Sequence, residues 1–88
     1  MKVNFKELNI EVTFDNFQAV DIAKELGNYI HQVTNDIGLD DTARDIYHSD
    51  GWVDIPLEHA EAIVAIVSGP ECAFLACIKK AIINALKE

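Results

Sequence analysis

Leu8, Ile10, Val12 and Phe14 alternate with Glu7, Asn9, Glu11 and Thr13, the period of a strand with one buried and one wet face. Val3 and Phe5 have the opposite parity, so the phase change at Lys6 and Glu7 predicts either a bulge or a short lead-in before the strand proper. Asp15 and Asn16 supply turn chemistry. Residues 17 to 21 are long enough to return as a second antiparallel strand, which makes a hairpin.

The pattern then switches to the helical period. Ile22, Leu26, Tyr29, Ile30 and Val33 share one face, opposite Lys24, Asn28, His31 and Gln32, with Asp21 as the N-cap. Residues 34 to 38 end that helix. Asp40 is then read as the cap of a shorter helix through His48, with Ala43, Ile46 and Tyr47 inward and Ser49, Asp50 and Gly51 as its stop. Residues 52 to 55 are too short to stand alone, so they form either a third strand on the hairpin's edge or an extended linker. Pro56 opens a third helix from Leu57 to Ser68, with Leu57, Ile63, Val64, Ile66 and Val67 inward, and Gly69 and Pro70 break it. A last helix is expected over residues 71 to 87, burying Phe74, Leu75, Ile78, Ala81, Ile82, Ala85 and Leu86. The expected fold is α+β, one globular domain over residues 1 to 88: an N-terminal β-hairpin, with or without a third short strand, packed against three to four helices.

That last helix carries an excess of apolar surface. Twelve of the fifteen residues from Cys72 to Leu86 are apolar, and Cys72, Ala76 and Ile83 lie off the main face. A domain of 88 residues has little interior with which to cover a helix on two sides. Either the third helix wraps the second strip or another chain does, and the balance favours a protein partner or a homo-oligomer.

Charge changes the picture further. The chain carries 15 acids against 7 lysines and arginines, a net charge of −8. Asp36, Asp40, Asp41, Asp45, Asp50, Asp54, Glu58 and Glu61 stand against Arg44 alone, so most of the excess sits in one segment. Such a field repels phosphate backbones and argues against direct nucleic-acid binding, while it suits a basic protein surface or an inhibitor that imitates nucleic acid. No stretch approaches the roughly 20 apolar residues of a membrane span, and "MKVNFKELN" lacks the apolar block of a signal peptide. Cys72 and Cys77, five apart on a predicted helix, point to different sides. They read as reduced core thiols in a cytoplasmic protein.

Candidate chemistry is sparse. Asp41, Asp45 and His48 fall on one helical stripe and raise a divalent-metal reading, but no second rigid set of ligands accompanies them, and an exposed polar face explains them better. The loop pattern of a calcium site is missing from "NDIGLDDTARDI". His59 lies on an apolar flank beside Ile63 and Ile66, the place of a half-buried ring. His31 sits on a polar face. No phosphate loop, nucleophile elbow or HExxH occurs, so no catalytic residue, cofactor or metal is assigned. Trp52 is either a lid on the core, the favoured reading, or an exposed anchor for a partner. The candidate interaction surface therefore comprises Cys72, Ala76 and Ile83, the acids Asp36, Asp40, Asp41 and Asp45, and Trp52.

The segments "VNFKELNIEVTF", "VDIAKELGNYIHQ", "DIGLDDTARDIYHSDGWVDIP" and "CIKKAIINAL", in that order, resemble small uncharacterised proteins encoded by bacterial phages and prophages. The resemblance spans nearly the whole chain and carries no catalytic motif. It implies a non-enzymatic accessory or virion-assembly protein that works through contacts, in the host cytoplasm or with the virion.

Overall fold

A computed structural model describes residues 1–87 of the chain. The elements run β1 (Lys2–Asn4), a 3-10 turn (Phe5–Glu7), β2 (Leu8–Thr13), β3 (Asn16–Val20), α1 (Ala23–Val33), α2 (Ile37–Tyr47), β4 (Trp52–Asp54), α3 (Leu57–Ser68) and α4 (Ala76–Leu86). The class is α+β, as the pattern predicts.

The phase change near Lys6 proves to be the 3-10 turn. Asn4 Oδ1 accepts from the Lys6 N–H at 3.0 Å and starts it, and Phe5 points into the core. The turn swings the lead-in strand away from the hairpin, which decides where the third strand goes. β4 pairs antiparallel with β1, and neither strand joins the hairpin: Val3 opposes Val53, both buried, between the flanking pairs Lys2–Asp54 and Asn4–Trp52. The expected edge strand therefore exists but belongs to a separate two-stranded ribbon. The Ile55 N–H extends that ribbon to Met1 O at 2.7 Å.

β2 and β3 form the expected hairpin, with Leu8 opposite Val20 and Ile10 opposite Gln18, and a bulge between Glu11 and Thr13. Only Leu8 and Ile10 of the predicted inward face are buried. Val12 and Phe14 overhang the domain, and Asp15 turns the chain at φ 63°.

Asp21 Oδ1 accepts from the Ala23 N–H at 3.1 Å at the start of α1, which buries Ile22, Ala23, Leu26 and Ile30 but leaves Val33 outside. The N-cap of α2 is Asp36 rather than Asp40. Its carboxylate accepts from the Gly38 N–H at 2.9 Å, and its own N–H donates to Thr34 Oγ1 at 3.1 Å, so the second helix starts almost where the first stops. Starting earlier, α2 also buries Leu39 and Thr42 beside Ala43 and Ile46. Gly27 sits where α1 and α2 press together: a Cβ there would lie 2.8 Å from Ala43 O and 2.9 Å from Tyr47 Cβ. Gly51, at φ 148°, then turns the chain into β4.

α3 has the predicted bounds, although Leu57 faces solvent. The last helix does not. Residues 71 to 75 are not helical, and α4 begins at Ala76. The cause is tertiary: the segment folds back over α1, where Cys72 is buried and the Phe74 ring lies 5.4 Å from that of Tyr29. The Cys72 N–H and Lys79 Nζ both donate to Gly69 O, each at 3.2 Å, and tie the segment down. α4 packs on β2 and α3 through Ala81, Ile82 and Leu86.

Candidate functional site

Period-two alternation in the short β4 strand sends Val53 inward and Trp52 outward. Trp52 is 70% exposed, so it is no lid on the core. It flanks a cleft of about 720 Å³ whose other wall carries Phe17, 56% exposed, with Asn9 of β2 beside it. Ala81 and Ala85, one helical turn apart on α4, line it with Asn84, and residues 1 to 4 together with Glu7 and Leu8 form the rest. The combination is two exposed aromatic faces with small residues, amides and one charge of each sign, Lys2 and Glu7, within the ordinary size range of a recognition cleft.

A second cleft, of about 440 Å³, lies between the hairpin tip and the start of α4, where Val12 and Phe14 face Ala76, Cys77 and Lys80. Phe14 is 93% exposed, and Leu75 beside Ala76 is also exposed. Of the apolar stripe expected off the main face of the last helix, Ala76 is exposed and Ile83 half-buried. Cys72 is only 5% exposed, because Tyr29 and the reversed chain cover it, so it offers no surface to a partner. Loss of solvent, the neighbouring Cys72 thiol and the Glu71 charge raise the pKa of the Tyr29 phenol above its ordinary value. Both thiols are free.

The third feature is polar and lies between α1 and α2. His31, in the last turn of α1, places Nδ1 2.5 Å from Asp40 Oδ1, in the first turn of α2. Each group stands where its helix dipole favours it. Asn28, Arg44, Tyr47 and His48 line the same crevice, and Lys24 Nζ lies 5.8 Å above the Tyr47 ring. His31 lies exposed on the polar face of α1, as the pattern predicts, but its pairing with Asp40 is not legible from that face. The signal was available only after the helix boundary: a histidine ending one helix and an acid opening the next meet across a short connection.

The acids divide into engaged and free. Asp36 caps α2, Asp40 pairs with His31, and Asp54 lies 3.3 Å from the amino terminus of Met1. Asp41, Asp45, Asp50, Glu58 and Glu61 remain exposed. Asp41, Asp45 and His48 share a helix, but among the described residues no group of three or more His, Cys, Asp or Glu side chains is placed to hold a metal ion. His59 is half-buried, as its flank predicts, with Nδ1 2.6 Å from the buried Thr42 hydroxyl. Among the described residues no buried side-chain polar atom lacks a partner.

Comparison with protein-family models, with curated proteins and with solved structures finds no match for this chain. No helix among the described residues is long and apolar enough to cross a membrane.

Proposed function

We propose that the protein is a non-enzymatic interaction module, an acidic accessory or virion-assembly factor of the phage type, acting in the host cytoplasm or with the virion. Its partner seats an apolar or aromatic side chain in the cleft between Trp52 and Phe17. One observation carries this reading: the only tryptophan of the chain stands 70% exposed at the mouth of a cleft. Leaving so large an apolar ring in water has no folding benefit, and buried tryptophan is among the strongest contributors at protein interfaces.

Two other contact readings have weaker support. Self-association along the last helix relied on a stripe that loses Cys72 to the interior and keeps only Ala76 and the half-buried Ile83. Imitation of nucleic acid relied on eight clustered acids, three of which are occupied by a cap, a histidine and the amino terminus.

The test uses Trp52 as its own reporter. A protein captured from the native host, purified and titrated in, is expected to shift the emission of Trp52 to shorter wavelength as the ring leaves water. Trp52→Ala is expected to abolish capture while circular dichroism and melting temperature stay unchanged. Capture that survives Trp52→Ala and Phe17→Ser together rejects the cleft.

A further inference from the structure

Arg44 stands without a carboxylate. The natural partner of a helical arginine is an acid three or four residues before it, and Asp41 and Asp40 occupy both places. The Asp40 carboxylate turns instead to His31, and among the described residues the Arg44 guanidinium makes neither an ion pair nor a side-chain hydrogen bond. So the one arginine of a chain with a net charge of −8 is paired with none of the described acids.

That guanidinium lines the crevice of about 200 Å³ between α1 and α2. The floor is low because Gly27 and Ala43 form it, with at most a methyl group between them. The His31–Asp40 pair bounds one end. At the other stands the half-buried Tyr47, which packs against Gly27 one turn earlier on α1 and carries Lys24 Nζ above its ring. Asn28 and His48 add further polar groups, whereas Asp41 and Asp45 do not line the crevice.

We propose that this crevice binds a small monocarboxylate, its two oxygens on the Arg44 fork beside Asn28 and His48, and its apolar body against the Tyr47 ring. A planar guanidinium matches a carboxylate by two parallel hydrogen bonds. Charge selects a monoanion. One guanidinium answers one negative charge, while the Asp40 carboxylate in the lining and the field of the whole chain oppose a phosphate dianion or a polyanion. Size selects a small body, since the volume falls below the roughly 300–1,000 Å³ of sites for drug-sized ligands. The crevice shares no residue with the Trp52 cleft, so this inference stands apart from the reading above.

Benzoate is the probe. Titrated at neutral pH and low salt into the isotope-labelled full chain, it is expected to shift amide resonances of residues 24 to 31 and 40 to 48 saturably. The expected dissociation constant is about 1 mM or tighter. Arg44→Gln removes both charge and fork and is expected to weaken binding about tenfold or more, with Arg44→Lys, which keeps the charge alone, in between. Arg44 is exposed, so circular dichroism and melting temperature are expected to stay unchanged in both variants. Benzyl alcohol, the same ring without the charge, is expected to bind at least about tenfold more weakly than benzoate. Benzoate shifts that do not saturate, or that fall outside the two helices, overturn the site. Binding that survives Arg44→Gln, or that benzyl alcohol matches, overturns the role of the guanidinium. Inorganic phosphate that shifts the same residues at lower concentration than benzoate overturns the carboxylate in favour of a phosphoryl group. Each of these failures leaves the Trp52 cleft untouched.

Discussion

The α1–α2 layer and the β2–β3 hairpin are both amphipathic pairs joined by short connections, yet they end in opposite states. Between the helices the packing is so close that Gly27 has no room for a methyl group, and Leu26, Ile30, Ala43 and Ile46 are buried. On the hairpin the same kind of apolar face is covered only at Leu8 and Ile10, and beyond Glu11 it projects past the domain. What differs is the supply of neighbours. α3 packs on α2 and the Phe74 ring lies on Tyr29 of α1, whereas α4 lies against β2 and begins only at Ala76. A small core covers what it can reach, and the surplus apolar surface becomes available for contact.

The sharpest way to break that comparison is to remove comparable side chains from the two regions. Ile46→Ala takes away a side chain with no exposure and leaves a cavity between α2 and the rest of the core. It is expected to cost about 2–5 kcal/mol, measured by urea unfolding. A loss below that range would mean that the helical layer repacks readily and is less rigid than its close approach implies.

Gly27→Ala sharpens the comparison because two effects oppose each other. Alanine in a helix interior is favoured over glycine by about 1 kcal/mol. Here the new methyl group would meet Ala43 O at 2.8 Å and the Tyr47 N at 3.1 Å, which are backbone atoms that cannot rotate away. Overpacking costs about 1–3 kcal/mol, and unyielding neighbours put this site toward the upper end, so a net loss of about 1–2 kcal/mol is expected. Stabilisation by the same substitution would show that the helices separate freely.

How much of this was legible in the sequence follows the range over which each signal acts. The hairpin, α3 from Leu57 to Ser68, and the break at Gly69 and Pro70 depend on neighbours a few residues away, and the pattern predicts them. The start of α2 did not follow, because Asp36 and Asp40 are both competent caps, and the contact of Thr34 with Asp36 decides between them. Residues 71 to 75 read as helix and are not, since burial of Cys72 and Phe74 against Tyr29 outweighs a helical preference of a few tenths of a kcal/mol per residue. The pairing of β4 with β1 joins residues some fifty positions apart and leaves no local trace. The functional features divide in the same way. Trp52 stood out as a candidate from its residue type alone, but its outward direction comes from that remote pairing. The His31–Asp40 contact needed the helix boundary that the pattern missed.

The smallest expected effect is at the hairpin tip, and there a near-zero result is informative. Phe14 is 93% exposed, so Phe14→Ser removes a large apolar group that the folded chain barely covers. Stability is expected to stay within about 0.5 kcal/mol of wild type, a melting-temperature change of no more than about 4 °C for a domain of this size. Deleting a phenylalanine with so little consequence separates the tip from the core in energetic terms as well as in position. A loss comparable to that of Ile46→Ala would place Phe14 in the core after all. The contrast between a helical layer that holds the fold and a hairpin that meets other molecules would then have no physical basis.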